Sequence, residues 1–257
     1  MAASLGDDMA RTRTEALVVT DGLGDVEICA GDGDVVLLVD DQPVTLTWPA
    51  HHPHRNRLFF RGFDASELAT RLAGMALCTD GVDPNLPLAV QLRPLLRLLV
   101  DGVYDAHLDE ERGVEFGEVT LDEPAQPYSY LEWAGLHQID AEEALLLGSI
   151  PRSLLDPIAI RDVVGRIRSG RRPAVIGMTC PTANATFLLH GHVAMEAYMQ
   201  VGVAPTMLVL SYRTPRRLQA EEAAVLLRRA TTHFGEVLAA HYQAARDTAR
   251  RPVLSGP

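Results

Sequence analysis

Between residues 15 and 63 the chain is cut into short aliphatic and β-branched runs by Asp-Gly and Gly-Asp pairs, and no run there is long enough to be anything but a strand. The runs fall at 16–19, 26–29, 35–39, 44–48 and 58–60, which predicts a meander of antiparallel strands joined by tight turns. The pattern then changes. Asp64 stands where a helix N-cap belongs, Glu67 takes the capping-box position, and Leu68, Leu72, Met75 and Ala76 recur at helical spacing. A second helix is predicted over residues 86–108. Strands followed by helices give the expectation of an α+β fold.

The stretch 113–130 is strand-like and then bears Pro124 and Pro127, so a change of layer or domain is placed near residue 135. Residues 1–135 are read as a β-meander with helices, of no legible function. Residues 136–257 are read as an α/β unit with helix 141–147, helix 158–168 closed by Ser169-Gly170 and Pro173, and strand 174–178. A polar loop over 179–185, strand 186–189, a helix over 193–201 ended by Gly202, and strand 207–210 complete the unit. Amphipathic helices are expected over 218–250.

With 257 residues and 47% hydrophobic content, one or two domains can be buried. No apolar run reaches membrane-spanning length, and the first thirteen residues carry no apolar signal core, so a cytoplasmic protein without a membrane partner is expected. Cys29, Cys78 and Cys180 have no metal or disulfide-framework spacing. A net charge of -11 argues against nucleic acid; the best basic patch, residues 161–172, is short. All 23 basic residues are arginine. The absence of lysine excludes a Walker-type loop, a Schiff base and a Ser-Lys dyad, although the codon bias of a GC-rich bacterial genome produces the same composition.

The one concentrated chemical signal is Leu189-His190-Gly191-His192 and the helix behind it. Ligands of alternating α/β units gather at strand ends, and a glycine before a helix start suits an anionic group. His190 and His192 are the candidate general acid and base, with Glu196 one turn beyond His192 on the same face. The plainer reading is a pair of turn histidines that bond to backbone, with a solvated mid-helix glutamate. Elsewhere the bland readings lead. His51-His52-Pro53-His54 reads as an exposed loop and not a metal site, and Asp32, Asp34, Asp40 and Asp41 read as hairpin turns and not calcium ligands. Cys180, within Thr179-Cys180-Pro181-Thr182, reads as packing. The run 128–133, rich in Tyr and Trp, is an aromatic wall or a staple between the halves.

The order Ile150-Pro151, Asp156, Ile167, Gly170, Pro173, Val175-Ile176, Leu188-Leu189-His190-Gly191-His192, Glu196-Ala197-Tyr198, Gly202-Val203 and Leu208-Val209-Leu210 resembles the ParB/sulfiredoxin-like domain over roughly residues 138–212. Members of that family hold nucleotide phosphates at this turn with an arginine, and they include ATP- or ADP-using free-serine kinases and CTP-binding partition proteins. The resemblance therefore implies ATP or ADP with Mg²⁺ as cofactor and no resident metal. Val193 stands where the family's arginine would be. Phosphate contact then falls to His192, the helix N-terminus behind Gly191, Thr179, Asn184 or a remote arginine such as Arg161 or Arg213. The sulfiredoxin cysteine is also missing from the turn. The expected function is a small-molecule enzyme of biosynthesis, a phosphotransferase on a hydroxylated or amino-acid-like substrate. Two alternatives stand beside it: a nucleotide-independent enzyme that closes a ring or eliminates phosphate or sulfate, and a nucleotide-sensing module that docks a protein partner or a second copy.

Overall fold

The computed structural model describes residues 13–31, 35–49, 57–61, 65–109, 136–137, 145–150, 154–183, 185–219, 221–222 and 224–225. They form an α+β fold with two six-stranded sheets. The predicted meander is present in one of them: β2 (Val26–Ala30), β3 (Val35–Val39), β4 (Gln42–Pro49) and β5 (Arg57–Arg61) pair antiparallel in sequence order. Asp40 and Asp41 make the two-residue turn between β3 and β4 with φ of 49° and 59°. A tight hairpin that matches strand twist needs positive φ at both positions, and aspartate tolerates it. The Asp40 carboxylate also accepts a bond from Arg71 at 3.3 Å.

The first predicted strand leaves this meander. β1 (Arg13–Val19) pairs antiparallel along its whole length with β6 (Gly102–Asp109) in the other sheet. The second predicted helix, 86–108, is replaced by two short pieces, α2 (Leu88–Gln91) and α3 (Arg93–Leu96), and then β6. Pro94, at the start of α3, lacks the N–H that a continuous helix would use. Gly102 stands where the ring of Tyr212 passes, 2.5 Å from the position of a Cβ. From there burial alternates, with Tyr104, Ala106 and Leu108 inside, which is the period of a strand.

The chain ahead of β6 follows the helix prediction more closely. α1 (Ser66–Leu72) buries Leu68 and Leu72, but its cap position is Ala65, with no side-chain cap bond; Asp64 lies outside the described residues. A second correction concerns the helix expected over 141–147. Residues 141–144 are not described, and Leu145–Gly148 form β8, a strand parallel to β10 (Ala185–His190). Helix propensity in this Leu-rich run yields to pairing at the sheet edge.

The remaining elements fall where the sequence puts them: α4 (Pro157–Arg168), β9 (Ala174–Thr179), α5 (His192–Val201) and β11 (Thr206–Tyr212). Asp156 caps α4 by accepting the Ile158 N–H at 2.8 Å, and Pro157 opens the helix where a missing N–H costs nothing. The first sheet runs β1-β6-β11-β9-β10-β8. The second runs β12-β2-β3-β4-β5-β7, with β7 (Leu136–His137) and β12 (Arg216–Arg217) as short additions. Strands from both sides of residue 135 thus share each sheet.

Tyr104, Ile176, Met178, Phe187, Leu208 and Leu210 from the first sheet join Ile28, Leu37 and Leu68 in one continuous core. Among the described residues no helix is long and apolar enough to cross a membrane. The predictions at His51 to His54, Asp32, Asp34, 113–135 and most of 218–250 lie outside the described residues.

β10 is antiparallel to β9 and parallel to β8, while β11 is parallel to β9. The C-terminal ends of β8 and β10 and the N-terminal ends of β9 and β11 therefore share one end of the sheet.

Candidate functional site

β10 reaches that end with three fully buried residues, Phe187, Leu188 and Leu189, and stops at His190. Its pairing runs Phe187 to Met178 and Leu188 to Gly177, then slips so that His190 faces Ile176. Leu189 is the extra residue of this bulge, and bulges re-aim the side chains that follow them. Directly opposed residues of an antiparallel pair share a face, so His190 lies on the face of Ile176, Met178 and Phe187, which is the core face. The residue is half-buried. Nδ1 is closed off from solvent and has no hydrogen-bond partner among the described residues. Burial pushes the imidazole pKa down to about 4, because the charged ring would lose its hydration. His190 is a neutral imidazole at pH 7.

Gly191 turns the chain from β10 into α5 with φ 92° and ψ 19°. A Cβ here would lie 3.0 Å from the Cα of Val175 and 3.2 Å from the carbonyl oxygen of Ala174. A glycine at this turn is expected to let a ligand approach the backbone closely. The close approach is instead to the backbone of β9. Gly191 makes no side-chain cap, and the first turn of α5 holds no carboxylate, so its N–H groups meet no acidic side chain from within the helix.

His192 is only 3% exposed and opens α5. Its Nε2 receives the backbone N–H groups of Ser149 at 3.0 Å and Ile150 at 3.1 Å. An amide N–H can only donate, so Nε2 carries a lone pair and the ring is neutral, with its proton on Nδ1. The hydroxyl of Ser149 stands 3.2 Å from the same nitrogen, a spacing that in isolation suggests a nucleophile and its base. Two facts oppose that role. Ser149 is fully buried, and its hydroxyl donates to the Leu188 carbonyl at 2.6 Å. The Ser149–His192 contact ties the end of β8 to the start of α5 and is scaffold.

Glu196 is buried as well, at 3% exposure, where a mid-helix glutamate was expected to be solvated. Gln200, one turn on, donates to its Oε1 at 3.0 Å. Tyr198 fixes the same helix by donating to the Pro173 carbonyl at 2.9 Å, just ahead of β9.

The other candidate ligands do not join this group. Thr179 ends β9 at the opposite end of the sheet; six residues of strand separate the two ends by roughly 17 Å. Arg213 follows β11 at that same far end and is held by Asp105 through bonds of 2.8 and 2.7 Å. That pairing holds the Asp105 carboxyl below its ordinary range. Cys180 is buried there too, with its sulfur 3.6 Å from the Thr182 hydroxyl. Arg161 is exposed on α4 and reaches back to the Pro157 carbonyl at 3.4 Å. Asn184 lies outside the described residues. Among the described residues no three His, Cys, Asp or Glu side chains gather as a metal site would require.

Sequence reasoning missed Ser149 and Ile150, which decide the state of His192 from 43 and 42 residues away. Their contribution is made by backbone N–H groups, so no residue type announces it. Comparison with known families, with curated proteins and with solved structures gives no match for this chain.

Proposed function

We propose that this chain is an enzyme acting on a small anionic or hydroxylated molecule, with His190 as the imidazole that meets the reacting group. The observation that carries this reading is the ring itself: a neutral imidazole at a strand end, half-buried, with one nitrogen enclosed without a partner among the described residues. An unsatisfied buried nitrogen lowers stability, and such groups are retained where chemistry uses them. The first-turn N–H groups of α5 lie next to it in the chain and suit an anionic substituent. The likeness to the ParB/sulfiredoxin-like domain rests on a helix and strand that lead to a second strand, a helix and a closing strand, and α4-β9-β10-α5-β11 follow in that order.

The residues do not fit a nucleotide's phosphates. Val193 occupies the arginine position of that likeness, Arg213 is engaged with Asp105 at the far end of the sheet, and Arg161 is on the exposed side of α4. We therefore favour the nucleotide-independent reaction, ring closure or elimination of phosphate or sulfate, over phosphotransfer. A ligand-sensing module is the second reading. It is favoured by one observation, that His192 and Glu196 are buried and bonded and leave a single imidazole for chemistry.

The test is turnover of a bacterial metabolite extract, followed by mass spectrometry, with wild type and His190→Gln. The expected result is a substrate consumed by wild type without added nucleotide and spared by the variant. Consumption that requires ATP and Mg²⁺ would restore the phosphotransferase. Binding without any consumption would leave the sensing module.

A further inference from the structure

The geometry points to His190 being held as the Nε2-protonated tautomer and acting as a hydrogen-bond donor, so that the ligand atom it meets is an acceptor oxygen: carbonyl, carboxylate or phosphoryl. This rests on the reading of His190 as the imidazole of the site, and it replaces a general base with a neutral donor.

The inference comes from the enclosed nitrogen. A neutral imidazole carries one N–H and one lone pair, and the two nitrogens must share them. Nδ1 is shut off from solvent and without a partner among the described residues. Across the ladder His190 pairs with Ile176, and the buried Met178 and Phe187 follow on the same side of β9 and β10. Orphaned donors are rarer in protein interiors than acceptors with a spare lone pair, because an N–H has a single direction to satisfy. The lone pair therefore belongs on Nδ1 and the proton on Nε2, the nitrogen left to a ligand when Nδ1 is enclosed. His192, two residues on, has the opposite tautomer, since two amide donors demand a lone pair on its Nε2. The two rings of one motif are thus set in opposite senses, one by its bonds and the other by its lack of them.

A neutral N–H donor of this kind polarises a carbonyl or holds an anionic oxygen without needing to change its own protonation. It does not take a proton from a hydroxyl in the ground state. A substrate whose reactive group offers only donors, such as an ammonium, does not fit.

The tautomer is read directly from long-range ¹H–¹⁵N spectra of the uniformly ¹⁵N-labelled full chain at pH 7, with His190 assigned by loss of its signals in His190→Gln. The expected pattern is an unprotonated-type shift on Nδ1 and a protonated-type shift on Nε2, the reverse of His192. Inorganic phosphate and acetate then serve as acceptor probes and ethylammonium as the donor probe. Acceptors are expected to move the Nε2 resonance, and ethylammonium to leave it in place. A proton on Nδ1, a charged ring at pH 7, or an Nε2 resonance that responds only to ethylammonium or to none of the probes overturns the inference. The enzyme reading is judged separately by metabolite turnover, so a His190 that turns over substrate with the proton on Nδ1 would defeat the donor role alone.

Discussion

Replacing His192 by Ala takes away an acceptor that two buried amides share. The N–H groups of Ser149 and Ile150 would be left facing the space of the ring, with both residues buried and solvent excluded. Each unsatisfied buried donor costs about 1–3 kcal/mol, and loss of the ring adds a packing defect, so His192→Ala should lose about 3–6 kcal/mol. Domains of this kind hold only about 5–15 kcal/mol, so the variant stands near the limit of folding. His192→Gln is the control, because its amide oxygen can accept where Nε2 accepts; it should lose about 1–2 kcal/mol. Urea unfolding followed by far-ultraviolet circular dichroism reads both as shifts in midpoint. If the alanine variant does not express, the glutamine variant and its lowered midpoint carry the comparison. A His192→Ala protein as stable as wild type, or one that keeps its stability and loses only turnover, would refute the assignment of this ring to the scaffold.

The pH response of stability should come in part from His190. Burial bears on the titration through the charged ring, so above pH 6.5 the residue adds no pH dependence; between 6.5 and about 4 the unfolded chain takes up a proton that the folded chain refuses, and stability falls as pH falls. At ~1.4 kcal/mol per pKa unit the full loss is ~3 kcal/mol, and His190→Gln should flatten that part of the stability profile; parallel profiles would contradict it. Gly191→Ala combines a left-handed backbone with a 3.0 Å approach to Val175 and should cost about 2–4 kcal/mol in thermal unfolding, whereas an unchanged melting temperature would mean that β9 can give way. Arg213→Ala breaks only an exposed pair with Asp105 at the far end of the sheet, so turnover and the unfolding midpoint should match wild type; loss of turnover would bring Arg213 back into the site.

The α+β class and the unit from α4 to β11 are legible in the chain because their signals are local: an Asp-Pro start, Gly ends and short apolar runs. β6 and β8 were hidden for opposite reasons. In β6 a Leu-rich approach over residues 92–99 carries helical composition up to Gly102, and only the alternation beyond it betrays the strand. In β8 the helix-forming composition is real, and pairing with β10, some forty residues later, decides the outcome. The site was half legible for a related physical reason. His190 and His192 stand two apart, but the bulge at Leu189 and the left-handed Gly191 separate their environments, and the groups that claim His192 come from distant backbone.

The division of labour between the two imidazoles is tested most directly by a thermal-shift screen of anionic metabolites run in parallel on wild type, His190→Gln and His192→Gln. At least one compound should raise the melting temperature of wild type and of His192→Gln by the same increment and leave His190→Gln unmoved. A ligand that stabilises the His190 variant as much as wild type, or one whose effect vanishes only with His192, would contradict it.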